Sequence, residues 1–140
     1  MAIKALLSPT VLGVVAIIVD RDGKVVLARH SYTPGLSFPG GGVKRAEPPR
    51  QAILRELSEE IGVVRSDPPE MVGIYTRHTG WATNVVVLYR LMNAAVEFRA
   101  NFEVREIVLA DPADPPHETT MGTRRRLAEF TGAAPQSPFW

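Results

Sequence analysis

The sequence of 140 residues contains no cysteine. Thiol nucleophiles, cysteine-ligated zinc, iron–sulfur clusters and disulfides are therefore excluded, and polar chemistry has to come from carboxylates, hydroxyls, arginines and three histidines. An excess of charge of one sign is also lacking, because 16 Lys and Arg residues nearly balance 15 Asp and Glu residues. We therefore expect no broad basic surface and no nucleic acid as a partner.

The amino-terminal stretch lacks the marks of an export signal. An apolar stretch follows Lys4, but Pro9 interrupts it, no small-residue cleavage site closes it, and it ends at Asp20 before a turn. It is also too short to span a bilayer. We expect a cytoplasmic protein without a membrane partner, and the sequence leaves open whether it forms a homo-oligomer. The length fits one domain, which we place at residues 1–130, with a C-terminal tail at residues 131–140.

Runs of β-branched residues bounded by turn signals predict a series of strands. Val11 to Val19 is almost continuously apolar, which is typical of a strand buried on both faces. The Asp22-Gly23 pair predicts a hairpin turn that leads into a returning strand, Lys24 to Arg29. Three later strands are predicted at Met71 to Thr76, Asn84 to Leu91 and Val104 to Leu109.

Two helices are predicted between and after these strands. The first runs from Pro48 to Ile61, because prolines are tolerated in a first helical turn and Gly62 can end the helix. Its predicted buried face consists of Leu54, Leu57 and Ile61. The second helix is predicted at Thr119 to Phe130. Strands on both sides of a central helix, with another helix at the end, indicate an α/β domain in which a mixed sheet lies between helices.

Three carboxylates share one face of the central helix. Glu56, Glu59 and Glu60 are spaced i, i+3 and i+4, so their side chains lie together and repel one another. A divalent cation would reverse that repulsion, and clustered carboxylate oxygens suit the hard ions Mg²⁺, Mn²⁺ and Ca²⁺. Arg55 can hold a neighbouring carboxylate in a bidentate pair. Taken alone, such glutamates are more typical of a solvated helix face.

The longer segment from Gly41 to Val63, GGVKRAEPPRQAILRELSEEIGV, resembles the signature of the Nudix hydrolases. That signature reads glycine, five residues, Glu, seven residues, and then Arg-Glu-apolar-any-Glu-Glu-any-Gly-apolar. Its fixed positions are filled here by Gly41, Glu47, Arg55, Glu56, Leu57, Glu59, Glu60, Gly62 and Val63. The resemblance implies an α/β/α sandwich and metal-dependent hydrolysis of a nucleoside diphosphate linked to a further group X.

The resemblance also implies roles for individual residues. The ligands of Mg²⁺ or Mn²⁺ would be Glu56, Glu59, Glu60 and the carbonyl of Gly41. The carboxylate that accepts the proton of the attacking water would be Glu56 or Glu103, which precedes a predicted strand after the signature. Lys44 and Ala46 differ from the acidic residue and the glycine that are common at these positions in the family.

Candidates for substrate binding lie outside the signature. Trp81, in the predicted loop Arg77 to Thr83, could stack on a base while Arg77 meets phosphate or sugar, although an aromatic at a strand end is equally often a packed edge. Arg29 could reach a phosphate or simply face solvent. Because MutT-type members of the family act on such compounds, the expected substrate is a nucleoside triphosphate or a related small nucleotide.

Two other functions stay open from the sequence. One is a non-catalytic module of the same fold that senses a nucleotide, and the other is a hydrolase of capped or triphosphate-ended RNA. RNA binding would need a basic path, whereas Arg124 to Arg126 is expected to be the solvated face of the last helix. His30 and His117 are expected to be surface residues rather than metal ligands.

Overall fold

The computed structural model describes residues 10–140, which form one mixed sheet of eight strands and two helices. The strands are β1 (Thr10–Asp20), β2 (Val25–His30), β3 (Leu36–Ser37), β4 (Gly40–Gly42), β5 (Val63–Arg65), β6 (Glu70–Thr79), β7 (Ala82–Val96) and β8 (Val104–Ala110). The helices are α1 (Pro49–Glu56), which continues as a π-helical turn (Leu57–Ile61), and α2 (Met121–Phe130).

Strand β1 lies at the centre of the sheet because its side chains are apolar on both faces. Val14, Ile17 and Ile18 have no exposed surface, as the sequence predicted. β1 pairs in parallel with β7, and its other edge is shared by β4 and β2, both antiparallel. β6 extends the sheet beyond β7, and β8 extends it beyond β2. The first and last halves of the chain therefore meet at β1 and β7.

Each face of the sheet packs against a helix. On one face, Ile53 of α1 and Leu57 and Ile61 of the π-helical turn join a buried core with alternate residues of β1. On the other face, Leu127 of α2 packs with Ile17 and its neighbours. Each wholly buried aliphatic side chain contributes roughly 1.5–3 kcal/mol to folding. The predicted α/β/α sandwich with a mixed sheet is thus confirmed.

Two local predictions were wrong. Leu54 is 43% exposed, because the face of α1 that packs on the sheet is set by Ile53, Glu56 and Leu57, and Leu54 lies about a quarter-turn away. The predicted loop Arg77 to Thr83 is mostly strand, since β6 and β7 pair up to Thr79 and Ala82. Only two residues connect these strands.

The residues after α2 fold back onto the sheet. The Thr76 N–H donates to the Pro138 carbonyl at 2.9 Å, and the Trp140 N–H donates to the Thr76 carbonyl at 3.0 Å. Arg126 is 1% exposed and donates to the carbonyls of Phe139 and Trp140, so the expectation that it faces solvent was wrong. Residues 131–140 carry no periodic apolar pattern, and their sequence did not indicate this docking.

Within residues 10–140, no helix combines the length and the apolar character needed to cross a membrane. Lys4 and Pro9, used above to exclude an export signal, lie outside the described residues.

Candidate active site

The carboxylate of Glu56 lies buried between α1 and β4. A Cβ atom on Gly41 would stand 2.7 Å from Glu56 Cδ, so only glycine allows the carboxylate to approach the β4 backbone this closely. Arg55 Nη1 donates to Glu56 Oε1 at 2.9 Å. The second oxygen, Oε2, is buried and has no hydrogen-bond partner. Since a buried acceptor normally has a partner, Oε2 is available to one that binds there.

Arg55 holds this carboxylate in a fixed orientation. Its Nε and Nη2 atoms donate to the two oxygens of Glu47, both at 2.8 Å, which is a bidentate pair. The Lys44 N–H donates to Glu47 Oε1 at 3.0 Å. The Arg55 guanidinium, and to a smaller extent the Lys44 N–H, lowers the pKa of Glu47 to about 2. Glu47 therefore stays ionised and anchors Arg55 to the loop before α1.

Glu59 and Glu60 lie on the π-helical turn that follows α1. Such turns are rare and are frequent at functional sites. The Glu59 side chain is 62% exposed and approaches Arg55 Nη1 at 3.7 Å. Burial raises the pKa of Glu60 to about 8, helped by the nearby Glu56 carboxylate and by the charges of Glu103 and Glu59. The charged form of Glu60 is thus disfavoured when no cation is present.

Asn101 joins the loop before β8 to this turn. Its side-chain amide donates to the Glu60 carbonyl at 2.9 Å, and its Oδ1 accepts the N–H groups of Glu103 and Val104, each at 3.0 Å. The predicted candidate Glu103 is thereby held near the carboxylates, and its charge adds to the raised pKa of Glu60. Our sequence reasoning missed Asn101, although an Asn two residues before Glu103 is a typical side-chain-to-backbone turn.

The residues present fit a divalent cation. In the described arrangement of residues 10–140, no three acidic or histidine side chains already converge on one point. However, Glu56 has an unpartnered buried oxygen, Glu59 is exposed enough to rotate, and the charges of neighbouring carboxylates add to burial in raising the pKa of Glu60. A hard cation would relieve this crowding through oxygen ligands, which Mg²⁺ and Mn²⁺ prefer.

A cavity of about 550 Å³ has Gly41 in its wall, and the Glu56 carboxylate lies against this glycine. Its walls come from β1, from the loop before β4, from the start of α2 and from Trp140. Aromatic side chains and cations line it together, among them Tyr32, Phe38, Arg77, Arg125 and Trp140. Cavities of this size, with apolar walls and a few polar groups, are typical of small-molecule sites.

His30 lies in the wall of this cavity. It is only 6% exposed, so the expectation of a surface position was wrong, whereas His117 is exposed as expected. The His30 Nε2 atom lies 3.3 Å from the Phe38 carbonyl oxygen, and the Tyr32 hydroxyl lies 3.4 Å from His30 Nδ1. Burial lowers the pKa of His30. Because a carbonyl can only accept, Nε2 carries the proton of the neutral ring.

The three predicted substrate contacts take different positions. Arg77 lies on β6 and lines the cavity. Arg29 is held by Glu106 at 2.5 Å and Glu118 at 2.8 Å and lies outside the lining. Trp81 lies in the β6–β7 turn, 80% exposed and also outside the lining. Arg77 and Gly41 therefore line one cavity, Glu56 lies against Gly41 without lining it, and Arg29 and Trp81 do not line it.

Comparison with known proteins identifies several relatives. The family described as NUDIX domain matches residues 9–130. Over 67 residues the chain is 40% identical to an RNA pyrophosphohydrolase of Hydrogenovibrio crunogenus, which covers 48% of this chain and 38% of that protein. Over 54 residues it is 50% identical to a CTP pyrophosphohydrolase of Escherichia coli, covering 36% of this chain and 40% of that one.

Similarity in three dimensions extends further along the chain. The solution structure of the E. coli ORF135 protein matches with a TM-score of 0.69 and 27% identity, covering 91% of this chain and 95% of that one. By contrast, the chain spans less than half the length of the curated relatives it matches.

Proposed function

Because the chain belongs to the Nudix family, as the match over residues 9–130 shows, we propose that it hydrolyses the diphosphate linkage of a small nucleotide. The observation that carries this proposal is the buried Glu56 carboxylate, which Arg55 orients while one of its oxygens has no partner. Glu59 and Glu60 lie beside it. The substrate class that we propose is a nucleoside triphosphate, and the location that we propose is the cytoplasm.

The residues of this site have different roles in the proposed reaction. The ligands of a Mg²⁺ or Mn²⁺ ion would be Glu56, Glu59, Glu60 and the Gly41 carbonyl. When bound, such an ion neutralises phosphate charge and makes a water molecule more acidic. Arg55 keeps Glu56 in place, and Glu47 keeps Arg55 in place, so the Glu56 carboxylate does not have to be ordered when the substrate arrives.

The reaction that we propose is attack of water on phosphorus. The water oxygen forms the new bond, the bridging phosphorus–oxygen bond breaks, and the departing phosphate keeps that bond's electron pair. The proton of the water passes to a carboxylate, either Glu103, which Asn101 holds at the site, or Glu56. Arg77 in the cavity wall would contact the negative charge of the substrate.

Several arginines are held by partners within the domain and are not free to contact RNA. Four of them are paired with glutamates of the same chain, namely Arg29, Arg55, Arg90 and Arg126. Arg124 donates to the carbonyls of Thr119 and Pro116 and is half-buried. A continuous basic path for a polynucleotide would need such charges on the surface. The relatives named RNA and CTP pyrophosphohydrolase make 5′-triphosphate RNA and CTP the two informative comparison substrates.

The test is release of pyrophosphate and phosphate from a panel of compounds in the presence of Mg²⁺ or Mn²⁺. The panel contains the nucleoside triphosphates, ADP-ribose, dinucleoside polyphosphates and 5′-triphosphate RNA. We expect turnover of a nucleoside triphosphate that is lost in Glu56→Gln and in the Glu59→Gln, Glu60→Gln double variant. Glu70→Gln, on the surface beside Arg90, is the matched control and should keep full activity.

Two results would contradict the proposal. One is an unchanged rate in the folded double variant, and the other is tight nucleotide binding by the parent protein without turnover, which would favour a sensing module. Preference for 5′-triphosphate RNA over every small nucleotide would change the proposed substrate class to RNA and leave the proposed reaction unchanged.

A further inference from the structure

We propose that Trp140 forms the wall against which the planar base of the nucleotide packs, so that it is a specificity-determining residue; this inference rests on the function proposed above. Trp140 and Gly41 line the same cavity, and the Glu56 carboxylate lies directly against Gly41. A molecule that fills the cavity therefore extends from Gly41, the residue against which Glu56 lies, to Trp140.

The backbone of residues 138–140 is fixed on both sides. Toward the sheet, Thr76 exchanges hydrogen bonds with Pro138 and Trp140 at 2.9 and 3.0 Å. Toward α2, Arg126 Nη1 donates to the carbonyls of Phe139 at 2.6 Å and Trp140 at 3.2 Å. Arg126 is itself buried against Glu129, with Nε to Oε1 at 3.0 Å. The segment is thus part of the folded domain.

The indole has a fixed position as well. It makes edge contacts with the rings of Phe38 and Tyr75, with centroids 6.4 and 5.6 Å away and interplanar angles of 74° and 82°. The Arg126 guanidinium lies 5.3 Å from the indole centroid. A Cβ atom on Gly122 would stand 2.3 Å from Trp140 Nε1, so the glycine at the start of α2 makes room for the indole.

This packing leaves Trp140 half-buried, and Trp140 is one of the residues that line the cavity. An aromatic ring that is already immobilised loses little entropy when a ligand packs on it. Base-to-aromatic stacking changes affinity by roughly 5- to 150-fold per base. Arg77 and Arg125 line the same cavity and supply positive charge near a phosphate-bearing ligand.

The other tryptophan gives a direct comparison. Trp81 is 80% exposed in the β6–β7 turn and lies outside the cavity lining. The sequence offered Trp81, near Arg77, as a candidate for stacking on a base, with a packed strand edge as the alternative. Each tryptophan can be studied alone after the other has been replaced. A nucleotide titration of the two single-tryptophan variants therefore distinguishes Trp140 from Trp81 as the residue beside the base.

The first test is kinetic. We compare Trp140→Leu, Trp140→Phe and Phe139→Ala, the last being a matched control because the Phe139 side chain is 67% exposed in the same segment. For the best nucleotide of the panel, Trp140→Leu should raise KM roughly 5- to 150-fold, with kcat changed less than threefold, and Trp140→Phe should restore most of the affinity. The inhibition constant of inorganic tripolyphosphate, which has no base, should stay the same in all variants.

The second test is fluorescence. In Trp81→Phe, addition of the same nucleotide with Ca²⁺ should change the emission of Trp140, whereas in Trp140→Phe the emission of Trp81 should not change. The inference is overturned if Trp140→Leu binds nucleotide as the parent protein does, or if only Trp81 responds. An equal loss of nucleotide and tripolyphosphate affinity would also overturn it, because the effect would then be structural. If the parent protein turns over no nucleotide, the proposed function fails, and the titration still decides the position of the base.

Discussion

Replacing Ala46 by glycine should raise the stability of the domain. It is one of two non-glycine residues with positive φ in the described part of the chain, at φ 59°, in the loop that places Glu47 against Arg55. A left-handed conformation destabilises the folded state by about 1–2 kcal/mol when an L-residue adopts it. Glycine avoids this strain but lowers the free energy of unfolding by about 0.4–1 kcal/mol, because it increases the entropy of the unfolded chain. Ala46→Gly should therefore raise the free energy of unfolding by about 1 kcal/mol.

The assay is urea and thermal unfolding, in which a gain of this size raises Tm by about 3–5 °C for a domain of this length. Ala128→Gly is the matched control, since Ala128 lies inside α2 and the same change there should cost about 1 kcal/mol. Hydrolytic activity should be unaffected, because the Glu47–Arg55 pair does not depend on the Ala46 side chain. A loss of stability in Ala46→Gly comparable to that in Ala128→Gly would refute the left-handed assignment.

Three further predictions concern the pairs around the site and the sheet. Arg55→Lys cannot form the bidentate pair with Glu47, so kcat/KM should fall roughly 10- to 100-fold, and part of the stability that this pair contributes at pH 7 should be lost. Because the folded pKa of Glu47, about 2, lies below its ordinary 4.5, its stabilisation is present above pH 4.5 and is lost as pH falls towards 2; unfolding curves of the parent protein and Glu47→Gln should converge over that range. Arg126→Met leaves Glu129 buried without its partner and should cost about 3–5 kcal/mol in urea unfolding, and a cost below about 1 kcal/mol would contradict the buried pair.

The sequence predicted the elements that depend on local patterns. Continuous apolar residues indicated β1, the Asp22-Gly23 pair indicated its hairpin turn, and the spacing of the glutamates indicated their shared position. These features are set by residues close together in the chain, so periodicity and turn chemistry are sufficient to find them.

What the sequence did not predict depends on side-chain contacts that no periodic pattern marks. His30 is buried because Phe38 and Tyr32 pack around it, and Arg126 is buried because Glu129 and the returning segment around Trp140 surround it. An isolated histidine or arginine carries no sign of such a neighbour. The π-helical turn is equally invisible, since its residues would also suit an α-helix.

The parallel pairing of β1 with β7 makes completion of the site a late event of folding. Residues 10–20 pair with residues 83–94, and the chain between them includes α1 and all the glutamates of the Nudix signature. Closing so long a loop loses chain entropy before the sheet contacts form, which slows folding. We expect hydrogen exchange during refolding to protect the β1–β2 hairpin early and the amides of α1 only together with β7. A fragment ending before β7 would contain every glutamate of the signature and still not hold them in position.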